Sequence, residues 1–106
     1  MGAQATIDPV VKRFQHRLTR SIGVTTLIWF GSRAAGGGHE WSDYDFIIVS
    51  PDFDGTPFLE RAARFYPLKE RGVSYDLLCY TPEEFEEMVN QITIVREAAR
   101  TGVRLI

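Results

Sequence analysis

Apolar residues recur at helical spacing in the first quarter of the chain. Between Asp8 and Gly23 they lie three or four positions apart, as on one face of an α-helix. Asp8 suits the N-cap, Pro9 suits the first helical position, and Gly23 suits the end. The residues of the predicted buried face are Val10, Val11, Phe14, Leu18 and Ile22. The pattern therefore predicts an amphipathic helix over residues 8–23.

The rest of the chain alternates between strand and helix patterns. Runs rich in β-branched and aromatic residues predict strands at 24–30, 43–49 and 73–80. Helical patterns cover residues 57–72, 81–91 and 92–102. The first of these three helices should break near Pro67, which cannot donate a backbone hydrogen bond. The order predicts a mixed α/β domain with a small mixed sheet of three or four strands and helices covering one face.

Length and composition limit the classes of protein that this sequence fits. A chain of 106 residues predicts a single domain over 1–106. The net charge of −2 argues against a nonspecific DNA or RNA binder, which normally has a basic surplus. Cys79 is the single cysteine and is expected to be buried, since it has no partner for an internal disulfide. No apolar run approaches the length of a membrane span, so we expect a cytoplasmic protein.

Two aspartates stand at the head of the second predicted strand. In a strand, residues two apart share a face, so Asp43 and Asp45 should lie side by side with Tyr44 turned away. Two carboxylates at that spacing repel each other, and a divalent cation removes the repulsion. Oxygen ligands alone favour magnesium or manganese over zinc. Two solvated aspartates at a strand end are the simpler alternative.

The preceding strand ends at Gly31-Ser32. A strand that stops at Gly-Ser and leads into a short helix offers backbone N–H groups and a hydroxyl, which suit a phosphate. If the two strands are neighbours, this turn and the carboxylates share one pocket. A phosphate and a metal would then meet, as nucleotide chemistry requires. A plain turn is the alternative.

Asp76 is a third candidate ligand, in the predicted strand 73–80. An unpaired aspartate in mid-strand would be costly to bury. It could complete a triad with the first two aspartates, or it could pair with Arg33 or Arg96.

Other polar motifs have simpler interpretations. "DFDG" at 52–55 lacks the later ligands of a calcium loop and should be a solvated loop. Acidic residues at 83–88 fall in the first turns of a helix, where they favour the helix dipole. His39 has no partner at metal-ligand spacing, Trp29 is expected in the core, and Trp41 is left open between core and base stacking.

The Gly-Ser pair, the ten-residue gap, "DYD" and a later acidic residue within a strand resemble one family. The chain is similar to the nucleotidyltransferase fold of the DNA polymerase beta superfamily, and "FGSRA" with the short length resembles its minimal nucleotidyltransferases. The resemblance spans roughly residues 24–88.

The resemblance implies transfer of a nucleotidyl group from a nucleoside triphosphate, with ATP the expected donor. Asp43, Asp45 and Asp76 would be catalytic and would hold two magnesium ions, about 3.5–4 Å apart in such sites. Gly31 and Ser32 would bind the triphosphate. Arg33 would add a charged clamp, unless it is an exposed arginine without that role.

The resemblance also suggests a partner. A chain this short has little room for an acceptor-binding domain, so the acceptor hydroxyl should arrive on another subunit or protein. Minimal nucleotidyltransferases of this type act as antitoxins toward a HEPN-domain toxin, by binding it, by transferring AMP to a toxin tyrosine, or by both. The alternatives are a non-enzymatic subunit that blocks the HEPN partner, and transfer to a small molecule. A homodimer is also compatible with the sequence.

Overall fold

A computed structural model describes residues 8–37, 42–91 and 93–106. The helices are α1 (Pro9–Thr19), α2 (Phe58–Arg61), α3 (Pro82–Val89) and α4 (Ile94–Thr101), with short 3₁₀ helices at Pro51–Phe53 and Ala62–Leu68. The strands are β1 (Thr26–Phe30), β2 (Tyr44–Val49), β3 (Tyr75–Tyr80) and β4 (Val103–Arg104). The predicted order of elements is confirmed, with β4 added at the end.

The described strands form one mixed sheet in the order β3-β2-β1-β4. The pairs β1–β2 and β1–β4 are antiparallel, whereas β2 and β3 are parallel. Since parallel strands need a crossover, the segment between β2 and β3 carries the short helices. The predicted mixed α/β sheet is therefore confirmed, and β4 makes it four-stranded within the described residues.

Side chains alternate between two buried clusters, one on each face of the sheet. On the first face, Trp29, Phe46 and Cys79 pack with Phe14 and Leu18 of α1. On the second face, the sheet residues Ile28, Ile47, Val49 and Tyr80 pack with α3 and α4. The prediction that helices cover one face was therefore incomplete. Both faces of β2 are apolar, and each has a helical layer on it.

The helix starts follow the local signals in the sequence. The carboxylate of Asp8 accepts a hydrogen bond from the Val10 N–H at 2.8 Å and caps α1. Thr81 and Glu84 form the reciprocal capping box of α3. Glu84 also pairs with the buried Arg61, which lowers the pKa of this carboxyl through their hydrogen bonds. This ion pair was not predicted, because it joins α2 to α3 across the fold.

The predicted helix over 57–72 is only partly α-helical, and its predicted break near Pro67 is confirmed. The α-helical part ends at Arg61, and residues 62–68 form a 3₁₀ helix that contains Pro67. Pro67 lacks an N–H and its ring crowds the carbonyl four residues earlier, so an α-helix cannot continue through it. The other end of the segment also lacks a side-chain cap.

Two simpler predictions concern burial and membranes. Cys79 and Trp29 are both buried, as predicted, and burial raises the pKa of the Cys79 thiol to about 12. None of the helices in the described ranges has the length and apolar character needed to cross a bilayer.

Candidate active site

The sheet brings the three predicted carboxylates to one edge. Asp45 is the second residue of β2 and Asp76 the second residue of β3, and the parallel register sets them directly opposite each other. Asp43 immediately precedes β2. Neighbouring strands lie about 4.8 Å apart, so the Asp45 and Asp76 side chains start from adjacent positions.

The electrostatics at Asp45 show that the three acids interact. Asp45 is half-buried, and burial raises the pKa of its carboxyl, with further contributions from the charges of Asp76 and Asp43. Asp76 is exposed near the start of its strand, so the expectation of a buried mid-strand position was wrong. In the described residues it forms no ion pair with Arg33 or Arg96. Its negative charge instead acts on Asp45, whose pKa it helps to raise.

The three carboxylates are the type of ligand that a hard divalent cation prefers, although they are not gathered around one point. Within the described ranges, no three His, Cys, Asp or Glu side chains are grouped closely enough to hold an ion as they stand. Oxygen ligands and mutual repulsion are the properties that magnesium binding exploits. We expect the carboxylates to turn toward each other when a cation offsets their repulsion.

Gly31 touches the central carboxylate. Phe30 pairs with Asp45 across β1 and β2, and Gly31 follows with a φ of 90°. A Cβ atom at Gly31 would lie 2.1 Å from Oδ2 of Asp45. Glycine is therefore required at position 31 for two reasons. Residues with a side chain rarely adopt this backbone conformation, and the Asp45 carboxylate occupies the space that a side chain would need.

Residues 31–37 form a single helical turn rather than the predicted short helix. The N–H of Gly36 donates to the Arg33 carbonyl at 3.1 Å, and the N–H of Gly37 donates to the Ser32 carbonyl at 2.9 Å. With a φ of 85° at Gly36, these bonds form a Schellman motif that ends the helix after one turn. The glycines that make the loop permissive are thus the reason why the helix stops.

The turn still presents backbone donors beside the carboxylates. In the described part of the chain, the N–H groups of Ser32 and Ala34 and the Ser32 hydroxyl have no hydrogen-bond acceptor. First-turn N–H groups of a helix have no intrahelical acceptor and are available to a ligand. Phosphate binding by Gly31, Ser32 and Arg33 stays a prediction, and the geometry leaves donors for it.

Arg33 has a structural role that the sequence did not reveal. Its Nε donates to the Ser42 carbonyl at 2.7 Å, and its Nη1 donates to the Tyr44 hydroxyl at 3.0 Å. The guanidinium lies 4.2 Å from the centre of the Tyr44 ring. Tyr44 in turn donates to Asp8 at 2.6 Å. Burial, with help from Asp8, raises the pKa of Tyr44 to about 12, so the hydroxyl stays protonated. This chain of contacts fastens the turn to β2 and α1.

The remaining acidic candidates lie elsewhere. Asp52 accepts a hydrogen bond from the Gly23 N–H at 3.0 Å, so it is a loop tether rather than a purely solvated residue. Asp52 and Asp54 follow the far end of β2, whose six residues span roughly 20 Å. Both residues therefore lie away from the pair formed by Asp45 and Asp76. His39 and Trp41 lie outside the described residues.

Comparison with known proteins agrees with this geometry. Residues 8–100 match the family model of the nucleotidyltransferase domain. The chain belongs to the nucleotidyltransferase domain family. No curated protein sequence matches it significantly.

A solved structure has the same fold. The nucleotidyltransferase domain described here is similar to the crystal structure of a candidate nucleotidyltransferase from Sulfolobus solfataricus, with a TM-score of 0.57 and 20% sequence identity. The match covers 74% of this chain and 69% of the other. At that identity the likeness establishes the fold, while the family match supports nucleotidyl transfer as the general reaction.

The clash at Gly31 gives a prediction with a matched control. Gly31→Ala should destabilise this nucleotidyltransferase domain by about 2–5 kcal/mol, from backbone strain plus displacement of Asp45. Gly36→Ala should cost about 1–2 kcal/mol, because its φ is also positive but nothing lies within 4 Å of the new Cβ. Urea unfolding of both variants measures the difference. Equal losses would show that Gly31 is needed for backbone conformation alone.

Asp45→Asn should stabilise the metal-free domain at neutral pH. The raised pKa means that the folded state binds the Asp45 proton more tightly than the unfolded state does. The stabilising contribution of the protonated Asp45 carboxyl is therefore fully present below its ordinary pKa of 3.8. It is lost as pH rises through the higher pKa of the folded state. Thermal melts in EDTA should therefore show a higher Tm for Asp45→Asn at pH 7 and a shrinking gap toward pH 3. The exposed Asp54→Asn is the control, and a lower Tm for Asp45→Asn at pH 7 would contradict the account.

Proposed function

We propose that this domain is a magnesium-dependent nucleotidyltransferase that transfers AMP from ATP to a protein hydroxyl, a tyrosine of a HEPN-domain toxin, and so acts as an antitoxin. The observation that carries the enzymatic part is the contact between the Gly31 turn and Asp45, with Asp76 in register beside it. A turn with unused donors and a cluster of carboxylates therefore share one sheet edge.

Asp43, Asp45 and Asp76 are the proposed ligands of two magnesium ions. The chemistry that bound magnesium supplies in such sites is charge neutralisation at the attacking and leaving oxygens. Asp45 gains most from a cation, because its carboxylate is half-buried between two others. Asp43 and Asp76 are exposed, so both can turn toward a ligand at little cost in packing.

The residues of the turn would position the donor nucleotide. The N–H groups of Ser32 and Ala34 and the Ser32 hydroxyl can donate to the β- and γ-phosphates. Arg33 supports this site through its hydrogen bonds to Ser42 and Tyr44, which fix the turn against the strand that carries the carboxylates. A phosphate contact by Arg33 remains part of the proposal.

The reaction is an in-line displacement at the α-phosphorus. The acceptor oxygen forms a bond to phosphorus, the bond to the oxygen that bridges to the β-phosphate breaks, and pyrophosphate leaves with that electron pair. The acceptor proton passes to a carboxylate, for which we propose Asp76. Its exposure at the edge of β3 supports this role, because an acceptor on a large partner can reach it.

AMP transfer separates the enzyme from a binding subunit. When the domain is coexpressed with a HEPN-domain protein from its own genome, the partner should gain mass in whole AMP units. Intact mass spectrometry measures the gain, which should disappear with Asp43→Asn or Asp76→Asn. Asp54→Asn, an equal charge change at an exposed loop position far from the site, should leave it intact.

The other outcomes identify the alternatives. A stable complex without added mass, in which both site variants still neutralise the partner, would indicate a non-enzymatic blocking subunit. Titration calorimetry with ATP tests the requirement for magnesium separately. Binding should require magnesium, and binding of equal strength in EDTA would contradict the proposed role of the aspartates.

A further inference from the structure

A cavity of about 250 Å³ opens beside Gly31, between the end of β1 and α4. Its lining residues are Phe30, Gly31, Ile94, Glu97, Ala98 and Thr101. We propose that the nucleoside part of the nucleotide, its base and ribose, binds in this cavity. The inference rests on the proposed function, and it assigns a recognition site for the part of the substrate that the turn and the carboxylates do not contact.

The position of the cavity follows from the sheet. Val103 of β4 pairs with Trp29, which brings the end of α4 against the end of β1. Gly102 packs so closely there that a Cβ atom would lie 2.8 Å from a side-chain carbon of Ile28. The cavity therefore adjoins Gly31 on the face of the sheet that also carries Asp45. An α-phosphate held at Asp45 would place the attached ribose within reach of it.

The chemistry of the cavity suits a nucleoside better than a phosphate. Phe30 is half-buried and Ile94 is exposed, so they offer an aromatic and an apolar surface to a base. The polar groups are the Glu97 carboxylate and the Thr101 hydroxyl, and none of the six described lining residues is basic. The Glu97 carboxylate accepts hydrogen bonds from Arg100 at 2.9–3.0 Å, and its remaining lone pairs can accept others from an amino group of the base or from ribose hydroxyls.

The order of the strands argues against the acceptor as the occupant. Because the order is β3-β2-β1-β4, Asp76 on β3 and the cavity beside β1 lie on opposite sides of Asp45. In-line displacement requires the acceptor opposite the leaving pyrophosphate, which the Gly31 turn would hold next to β1. The acceptor therefore approaches from the Asp76 side, and the cavity is left to the nucleoside.

A large side chain in the cavity tests the assignment. Thr101→Trp adds bulk at an exposed position of the lining, and Ala99→Trp adds the same side chain at an exposed position of α4 outside it. Titration calorimetry would measure two ligands in magnesium, ATP and inorganic tripolyphosphate. We expect Thr101→Trp to weaken ATP binding at least about tenfold and to change tripolyphosphate binding less than about twofold. Ala99→Trp should change neither.

Each other outcome has a defined meaning. Ile94→Trp, at a 65% exposed position at the other end of the lining, replaces Thr101→Trp if circular dichroism shows that variant unfolded. Wild-type affinity for ATP in a folded Thr101→Trp or Ile94→Trp variant would overturn the inference. Equal weakening of both ligands would overturn it too, because the effect would then lie in the phosphate site. A wild-type protein that binds neither ligand would contradict the proposed function itself.

Discussion

The close approach of Gly31 to Asp45 is the constraint on which the candidate site depends. The carboxylate occupies the volume that any larger side chain at position 31 would need. That contact fixes how the turn after β1 lies against the head of β2. Because β2 also pairs with β3, it lies between the turn that follows β1 and Asp76 of β3. A phosphate-binding turn and an acidic cluster thus become one site through two strand pairings.

The arrangement has an electrostatic cost that the rest of the fold must offset. Asp45 is half-buried beside two other acids, and its raised pKa reflects that unfavourable environment. Residues around it are correspondingly well anchored. Tyr44 lies between the two aspartates in sequence but points into the opposite cluster, where it joins Arg33 to Asp8. The strand can therefore present repelling charges on one face because its other face is tightly packed.

Local features were predictable from the sequence, and long-range contacts were not. The caps at Asp8 and Thr81 depend on residues two or three positions away, so they could be read directly. The position of Asp76 opposite Asp45 is a matter of register, and the sequence indicated it through family resemblance rather than through burial. The contact of Arg33 with Tyr44 left no signal, because spacing does not show which arginine faces which ring. The prediction of a short helix after Gly31 was wrong for a local reason. The Schellman motif at Gly36, whose φ is 85°, ends the helix after one turn.

The most direct test is a crystal structure with manganese and an ATP analogue that cannot be cleaved at the α-phosphate. Manganese replaces magnesium at oxygen sites, and its anomalous scattering locates it without ambiguity. The account predicts manganese bound by Asp43, Asp45 and Asp76, with the terminal phosphates on the N–H groups of the Gly31 turn. Manganese bound away from these carboxylates, or a nucleotide bound elsewhere on the domain, would contradict it.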